Sequence, residues 1–305
     1  MVLNKILVID KPPDFTSFDV VAKLRGILKE RRIGHAGTLD PMATGVLPIF
    51  TGAATKFIDL LPCTDKKYKA SFRLGIVTDT QDITGTVIQK SEAFENGAKV
   101  SYSELKAVSE KFTGDIKQIP PMYSAVKSGG RKLYDLARKG IEIERKPREA
   151  HIAKLEITEF DGCCGIIEVD CSKGCYVRTL VHDIGTALGP GAVLTSLRRT
   201  KSGCFTLNES ITLSKLENLT KQQETVPFIP VDSPFSGYAK IKLNEIQTRM
   251  FLNGVQLDVN RIAGVDSVNA REFNDPIRIY SCDGKFSGLA RLENETIVIV
   301  KVFRP

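Results

Sequence analysis

The sequence predicts an α+β protein that ends in a small β-rich unit. Apolar residues alternate along 66–74, as in a strand with one buried face, whereas they recur at helical spacing along 20–28, as in an amphipathic helix. Beyond residue 239, short apolar runs alternate with turn signals such as Asn253-Gly254. With 305 residues, of which 42% are hydrophobic, the chain can form one large core or two domains.

The N-terminal two thirds of the chain alternate between strand and helix patterns. Thr16 or Ser17 caps the first helix, and Ser101 with Glu104 forms a capping box before another. The patterns predict, in chain order, a strand over 6–9, a helix through 20–28, a strand over 45–51, a helix over 53–61, a strand over 66–74, a helix from 102 toward 114, a basic helix over 131–139, strands over 152–160 and 165–171, and a helix opened by 173–179.

The chain divides where its composition changes after Thr206. The residues that follow are polar and weakly periodic, and prolines interrupt 227–234, which is typical of a linker. We therefore predict one domain over 1–236 and a second over 237–305. The second is predicted to contain strands over 277–282, 286–292 and 296–303.

Composition limits the possible partners and cofactors. The net charge of +7 suits a polyanionic partner. The first apolar run is too short for a signal peptide and no segment is long and apolar enough to cross a membrane, so we expect a cytoplasmic protein. The seven cysteines are scattered and lack the paired spacing of zinc ligands, so we expect reduced thiols and no bound metal.

Asp40 lies in the stretch 34–48, where glycines and prolines surround a single acid. The glycines permit backbone conformations that a side chain forbids, and Pro41 disfavours the α region for the residue before it. The stretch therefore predicts a folded loop that holds a carboxylate. An Asp-Pro pair by itself most often only initiates a turn, so the residues alone leave the role of Asp40 open.

The whole stretch, GHAGTLDPMATGVLP, resembles the GHxGTLDPxATGxLP motif of the TruB-type pseudouridine synthases in their bacterial form. Enzymes of this family isomerise uridine to pseudouridine at position 55 in the T loop of tRNA. The resemblance implies that Asp40 is the catalytic residue. It also implies a mixed, largely antiparallel central sheet flanked by helices, followed by a PUA-like RNA-binding domain at the C-terminal end.

Two further motifs supply the other candidate catalytic residues. Periodicity alone favours Tyr68 as a core aromatic residue, but Lys67-Tyr68-Lys69 resembles the family motif whose tyrosine stacks under the target base. Arg178, at a helix start among apolar neighbours, needs a carboxylate, a phosphate or a surface contact. The stretch 173–179 resembles the KGxYxRT motif of the family, which implies that Arg178 pairs with Asp40.

The remaining candidates are expected to contact RNA. The stretch 118–127 resembles the QxPPxYSAxK segment of the family and implies a mobile arm, here about 117–148, that grips the T loop, although the residues alone also fit a surface helix. His35 is implied to insert among the T-loop bases, and the alternative is a hydrogen-bonded loop histidine. Lys11 is implied to lie near the active centre, and Arg198 and Arg199 to reach phosphate. The substrate-binding residues that we expect are His35, Tyr176, Leu197, Lys11, Lys127, Arg131 and Arg198.

The implied reaction breaks the bond from uracil N1 to ribose C1′ and rejoins the ring through C5, so it needs no cofactor. Positive charge develops on the ribose, and an ionised carboxylate near C1′ stabilises that transition state. We expect Arg178 to hold the pKa of Asp40 down, and Tyr68 is a candidate base for the C5 proton. Attack of Asp40 on C1′ and removal of the C2′ proton both remain open.

Three functions are compatible with these features. The first is a stand-alone tRNA pseudouridine synthase, the second a tRNA-binding chaperone with secondary catalysis, and the third a guide-RNA-dependent synthase subunit. The basic arm favours stand-alone recognition over guide dependence. We expect a monomer that binds the T stem-loop of tRNA, with no membrane partner and no small-molecule cofactor.

Overall fold

The computed structural model describes residues 3–124, 126–263 and 275–304, whose strands form two main sheets. The N-terminal strands are β1 (Ile6–Lys11), β2 (Ile33–His35), β3 (Thr44–Thr51), β4 (Lys66–Leu74), β5 (Ile76–Thr78), β6 (Val87–Lys90), β7 (Gly114–Gln118), β8 (Lys127–Ser128), β9 (Arg131–Lys132), β10 (Arg148–Phe160), β11 (Cys164–Cys171), β12 (Ala192–Ser202), β13 (Phe205–Thr206) and β14 (Ser210–Ile211). The C-terminal strands are β15 (Lys240–Lys242), β16 (Leu257–Asp258), β17 (Ile277–Tyr280), β18 (Phe286–Glu293) and β19 (Thr296–Val302).

Helices flank both sheets. The α-helices are α1 (Ser17–Leu28), α2 (Glu92–Glu95), α3 (Tyr102–Glu110), α4 (Leu133–Ala137), α5 (Val177–Leu188), α6 (Leu213–Gln222) and α7 (Glu245–Leu252). Segments of 3₁₀ helix are Gly52–Leu60, Leu207–Glu209, Ser233–Phe235 and Val259–Arg261. Thr16 caps α1, one of the two caps predicted there, and the capping box predicted at Ser101 begins α3; Thr16 also forms a capping box. Over the described ranges, no helix is long and apolar enough to span a membrane.

The large sheet contains ten of the described strands in a mixed arrangement. Its main path runs β14-β1-β3-β12-β4-β11-β10-β7, with β2 attached to β3 and β13 attached to β12. The pairs β1–β14 and β3–β12 are parallel, and the other pairs are antiparallel. The predicted mixed, largely antiparallel sheet flanked by helices is therefore confirmed.

Strand β4 lies inside this sheet and shows how its alternating sequence divides the two faces. Tyr68, Phe72 and Leu74 are buried, whereas Lys67 and Lys69 on the opposite face are exposed. The apolar stripes of α1 and α5 join the same hydrophobic cluster as the buried face of β4. The main core therefore lies between the sheet and these helices, with the exposed lysines on the far side.

The segment predicted to be a helix over 53–61 is instead the 3₁₀ run Gly52–Leu60. Its first turn is fixed by a side chain from the N-terminal segment, because the backbone N–H of Ala53 donates to Oδ1 of Asn4 at 2.6 Å. Gly52 has a φ of +56°, and a Cβ there would lie 2.3 Å from the Leu3 carbonyl oxygen. This close approach explains the glycine and the departure from α-helical geometry.

The basic helix predicted over 131–139 is shorter than expected, since α4 covers only Leu133–Ala137. The two residues before it, Arg131 and Lys132, pair with β8 in a two-stranded hairpin. The arm has a small core of its own, in which Met122, Leu133 and Leu136 are buried together. The helix therefore begins two residues later than predicted, because Arg131 and Lys132 pair with β8 instead of forming a helical turn.

The segment after Thr206, predicted to be a linker, packs against the large sheet. Strand β14 pairs in parallel with β1, and Ile229 forms a further bridge to Ile6. Between them, α6 is capped by Thr212 and buries Leu213 and Leu216. The apolar residues of α6 are sparse but fall on one helix face, which is why the polar composition suggested a linker.

The C-terminal sheet, in the order β15-β17-β18-β19-β16, confirms the predicted β-rich unit. It joins the rest of the chain through packed aromatic rings. Phe57 of the N-terminal 3₁₀ run lies 6.1 Å from Phe235, 5.7 Å from Phe286 and 5.8 Å from Phe303, measured between ring centroids. The hydroxyl of Tyr280 also donates to Asp232 at 2.7 Å. These contacts make the junction a continuous apolar cluster.

Candidate active site

Asp40 lies on the loop between β2 and β3, which is folded as predicted and is not helical. Gly37 has a φ of +77° and lets the chain turn before the acid. Gly45, at the start of β3, has a φ of +101°, and a Cβ there would lie 2.2 Å from the carbonyl oxygen of Arg199. The motif glycines therefore serve a turn and a close approach of β3 to β12.

Lys11 holds this loop through hydrogen bonds from its side chain. Its side chain is fully buried, and Nζ donates to the carbonyl oxygens of Pro12 at 2.8 Å, Phe15 at 2.5 Å and Pro41 at 3.0 Å. Burial lowers the pKa of Lys11 to about 8. Three protein carbonyls occupy its three donors, so the expectation that Lys11 binds substrate is corrected: it holds the residue after Asp40.

Arg199 also holds the loop through hydrogen bonds from its side chain. It is fully buried, with Nε donating to Val46 O at 2.8 Å and Nη2 to Gly37 O at 2.9 Å, while Nη1 lies 3.4 Å from Thr38 O. The expectation that Arg199 reaches RNA phosphate is therefore wrong. The sequence could not show this, because the partners of Arg199 are backbone carbonyls and not charged side chains.

The structure brings Arg178 to Asp40 across 138 residues of sequence. Nη2 of Arg178 donates to Oδ1 of Asp40 at 3.0 Å, and Nε lies 2.9 Å from Oδ2. The Arg178 side chain is 3% exposed, whereas that of Asp40 is 32% exposed. A buried guanidinium therefore orients a carboxylate that remains accessible from the pocket.

Arg178 also contacts three other groups. Nη1 donates to Thr80 O at 3.1 Å and lies 3.5 Å from Oδ2 of Asp82, and Nη2 donates to Tyr123 O at 2.8 Å. Asp82 is buried and was missed in the sequence analysis. Its stretch looks like a polar turn, and only a bridge to Leu194 of β12 brings it to the site. Tyr123 belongs to the arm, so one guanidinium joins the arm to the acid.

The charge of Asp40 reflects opposing effects. Burial raises the pKa of its carboxyl above the usual 3.8, and nearby Asp82 raises it further, while Arg178 and Lys11 lower it. The net direction is upward. We expected Arg178 to hold this pKa down; its effect has the expected sign, but burial outweighs it.

Asp40 opens into a pocket of about 370 Å³. The pocket brings together five of the predicted site residues, contributed by separate motifs: Asp40, Tyr68, Arg178, Tyr176 and Leu197. Lys66, Arg148 and Cys175 also line it and were not predicted. Basic and polar groups thus surround the acid, and the size suits a small planar ring.

Tyr68 lies opposite Arg199 in the register of β4 and β12. Burial raises the pKa of its hydroxyl to about 12, although the positive charge of Arg199 opposes the rise. The phenol is therefore protonated near neutral pH, which disfavours the hypothesis that Tyr68 is the base for the C5 proton. Its position in the pocket wall remains compatible with stacking on a base.

Tyr176 is positioned by Gln118, a buried residue at the end of β7. The Gln118 side-chain amide accepts from Tyr176 N at 2.9 Å and donates to Tyr176 O at 3.2 Å. This contact fixes the residue just before α5, on which Arg178 is the second residue. The sequence motifs of the arm and of α5 therefore meet in one side-chain clamp.

Three other predicted RNA contacts, Arg131, Arg198 and His35, do not line the pocket. Arg131 is exposed on the β9 hairpin, and Arg198 pairs with Asp10 at 2.8 Å. His35 is half-buried, and burial lowers the pKa of its imidazole. The side chain of Lys127 lies outside the described part of the chain. Arg131, Arg198 and His35 are thus not among the residues that line the pocket.

Fold and pocket together correspond to a pseudouridine synthase. A Cbf5-Nop10-Gar1 complex matches with a TM-score of 0.72 and 27% identity, covering 99% of this chain and 85% of that chain. An H/ACA RNP bound to a substrate RNA containing 2′-deoxyuridine matches with a TM-score of 0.71 and 25% identity, covering 99% of this chain and 85% of that chain.

The sequence relatives are more specific. Residues 25–177 match the family model of the TruB family pseudouridylate synthase N-terminal domain, and residues 178–234 match that of the tRNA pseudouridylate synthase B C-terminal domain. Proteins named tRNA pseudouridine synthase B from Clostridium tetani and Clostridium acetobutylicum are 40% and 41% identical, and each comparison covers 98% of this chain and 99% of the relative. The chain belongs to the TruB family of pseudouridylate synthases.

Proposed function

We propose that this protein converts uridine to pseudouridine in tRNA, at position 55 of the T loop. The observation that carries the proposal is the partly exposed carboxylate of Asp40, held by the buried guanidinium of Arg178 in an open pocket. Family membership and relatives named tRNA pseudouridine synthase B support the reaction and the class of RNA. The T-loop position is the finer part of the proposal, and it follows the resemblance of the motifs.

The target uridine leaves its stacked position and enters the pocket, at a cost of about a few kcal/mol. Tyr68 and Leu197 form apolar walls against which a flipped pyrimidine packs, and Asp40 faces its sugar. As the bond from N1 to C1′ breaks, positive charge grows on the ribose. The nearby carboxylate stabilises it, whether by bonding to C1′ or by taking the C2′ proton.

The second half of the reaction returns the same ring to the same sugar. The electron pair of the broken bond stays on uracil, the ring turns, and C5 bonds to C1′. The C5 proton is lost and N1 gains a proton, so the product has the same atoms as the substrate. The chain therefore has to hold a charged base in the pocket between the two bond changes.

RNA contacts outside the pocket follow the basic surface. Arg131 on the arm and Arg198 beside Asp10 are positioned for phosphate, and the arm residue Val126 lines the pocket itself. We assign the C-terminal sheet to RNA binding as a PUA-like domain. The arm supports recognition of a bare stem-loop without a guide RNA.

The test uses an unmodified tRNA transcript and the purified full chain, with pseudouridine mapped by carbodiimide adducts. Wild type is expected to modify position 55, and a bare T stem-loop is expected to suffice. Asp40→Asn keeps the shape of the side chain but removes the charge, so product is lost while tRNA binding persists. Asp59→Asn, an exposed acid of the 3₁₀ run, serves as the matched control and keeps full activity.

Absence of pseudouridine at that position with wild-type protein rejects the proposal. If product forms only when a guide RNA is added, the guide-dependent function replaces it. If Asp40→Asn fully rescues cells that lack the protein, tRNA binding and folding is the main role.

A further inference from the structure

Arg199 is a buried cation with no acidic partner among the described residues. Its side chain has no solvent exposure, and its hydrogen bonds go to backbone carbonyls of Gly37, Thr38 and Val46. Carbonyl dipoles satisfy its N–H groups but do not cancel its charge. A buried charge that lacks a counter-ion is costly, so it would stabilise an anion that forms nearby during a reaction.

The charge lies directly behind the pocket. Two of the residues that Arg199 holds, Gly37 and Thr38, line the pocket floor. Tyr68 lines it as well and stands opposite Arg199 across neighbouring strands, where the positive charge of Arg199 lowers the pKa of the phenol against the larger effect of burial. The phenol therefore separates the guanidinium from the space where a flipped base fits.

The pocket is electropositive on this side. Burial lowers the pKa of Lys66, a second basic residue of the pocket wall, and the positive charge of Arg199 lowers it further. Asp40 lines the same pocket, with Arg178 as its counter-ion. The sugar is thus provided with a negative group, and the base side with a positive one.

We propose that Arg199, acting through the Tyr68 hydroxyl and the pocket floor, stabilises the uracil anion after its bond to C1′ has broken. The inference rests on the proposed function, in which the electron pair of that bond remains on the detached ring. Arg199 does not touch the substrate and is a positioning residue: it orients the phenol and supplies the opposite charge. A charge placed in a dry site acts strongly, because no solvent has to reorganise.

The test compares two bases in the same T stem-loop, uridine and 5-fluorouridine. Fluorine withdraws electrons and stabilises the detached base, so cleavage of 5-fluorouridine depends less on a positive charge from the protein. Single-turnover cleavage is followed by nuclease digestion and chromatography. Arg199→Met is expected to slow uridine cleavage about 100-fold and 5-fluorouridine cleavage about 10-fold or less. Arg73→Met, an exposed arginine on β4, is the control and leaves both rates unchanged.

Two more variants separate charge from loop support. Arg199→Lys keeps the positive charge but loses the planar guanidinium that holds the loop carbonyls. Its cleavage rates for uridine and 5-fluorouridine are therefore expected to fall by nearly equal factors. Tyr68→Phe removes only the hydroxyl and is expected to slow uridine more than 5-fluorouridine. This variant decides the matter if Arg199→Met does not fold.

Equal losses for the two bases in Arg199→Met, or in Tyr68→Phe if the former is unfolded, overturn the inference and leave Arg199 as a loop support. Wild-type protein that forms no pseudouridine rejects the proposed function itself. The two failures are therefore distinguishable in one set of reactions.

Discussion

Asp82 faces Nη1 of Arg178, whereas Asp40 faces Nε and Nη2 of the same guanidinium. One cation therefore lies between two acids, of which Asp82 is buried and Asp40 is open to the pocket. The arrangement gives the three groups a net charge of −1 when both acids are ionised. It also makes the acid in the pocket dependent on a buried residue that contacts the same guanidinium.

Replacing Asp82 tests this dependence. Asp82→Asn removes one anchor of Arg178 and also a negative charge that raises the pKa of Asp40. We expect the turnover rate at neutral pH to fall about tenfold, and the acid limb of the pH profile to move to lower pH. Release of tritium from [5-³H]uridine tRNA measures both. Asp79→Asn, an exposed acid in the same loop, is expected to change neither.

Replacing Arg178 tests the orientation of Asp40. Arg178→Lys keeps a positive charge but cannot face both carboxylate oxygens while also reaching Thr80 and Tyr123. We expect the turnover rate to fall about 100-fold with tRNA affinity nearly unchanged, because the lost contacts serve the reacting acid. Single-turnover rates and filter binding measure the two quantities. A weakened affinity with an unchanged rate would contradict this role.

The activity should depend on pH at both ends. Burial raises the pKa of Asp40, and its ionised form is the active one, so the rate falls as pH decreases through a value above 3.8. Lys11 loses its proton near pH 8 and with it a donor to the loop carbonyls, so the rate also falls as pH rises through about 8. Single-turnover rates measured from below pH 4 up to pH 9.5 report both limbs. A rate that stays constant up to pH 9.5 would show that the reaction does not require the protonated form of Lys11.

The clamp between Gln118 and Tyr176 has a measurable energy. Gln118→Leu leaves the N–H and the carbonyl of Tyr176 without these partners at a buried position. We expect the free energy of unfolding to fall by about 1–3 kcal/mol and the turnover rate to fall with it. Urea denaturation and tritium release provide the readouts. Gln89→Leu on exposed strand β6 is the control. An equal loss of stability in that variant would show that the hydrogen bonds between Gln118 and Tyr176 do not stabilise the fold.

The aromatic junction makes the stability of the chain depend on Phe57. This side chain is fully buried and packs against rings from both sides of the junction. Phe57→Ala is expected to cost about 3–5 kcal/mol, measured by urea denaturation. Tyr102→Ala, at a ring that is 54% exposed, is expected to change the stability by less than about 0.5 kcal/mol. A small loss for Phe57→Ala would show that the two parts fold independently.

The sequence was informative where local chemistry decides the structure. The loop around Asp40 was predicted because its glycines and prolines exclude a helix, and β4 because its alternation matches a half-buried strand. Capping residues correctly marked the starts of α1 and α3. These features depend on neighbours in sequence, and the sequence displays those directly.

Features that depend on contacts between residues far apart in sequence were predicted less accurately. The approach of Arg178 to Asp40 came from resemblance, since spacing carries no information across 138 residues. Asp82 was missed because its position depends on a bridge to β12. Lys11 and Arg199 were expected at the RNA, yet backbone carbonyls satisfy them inside the protein. A buried basic side chain with carbonyl partners looks, in sequence, like a surface one.

The packed rings around Phe57 have a geometrical consequence for any RNA that touches both parts of the molecule. Closely packed rings resist bending, so we expect the distance from the C-terminal sheet to Asp40 to be set when the chain folds. An RNA that contacts both parts is then expected to adapt its own shape to that distance.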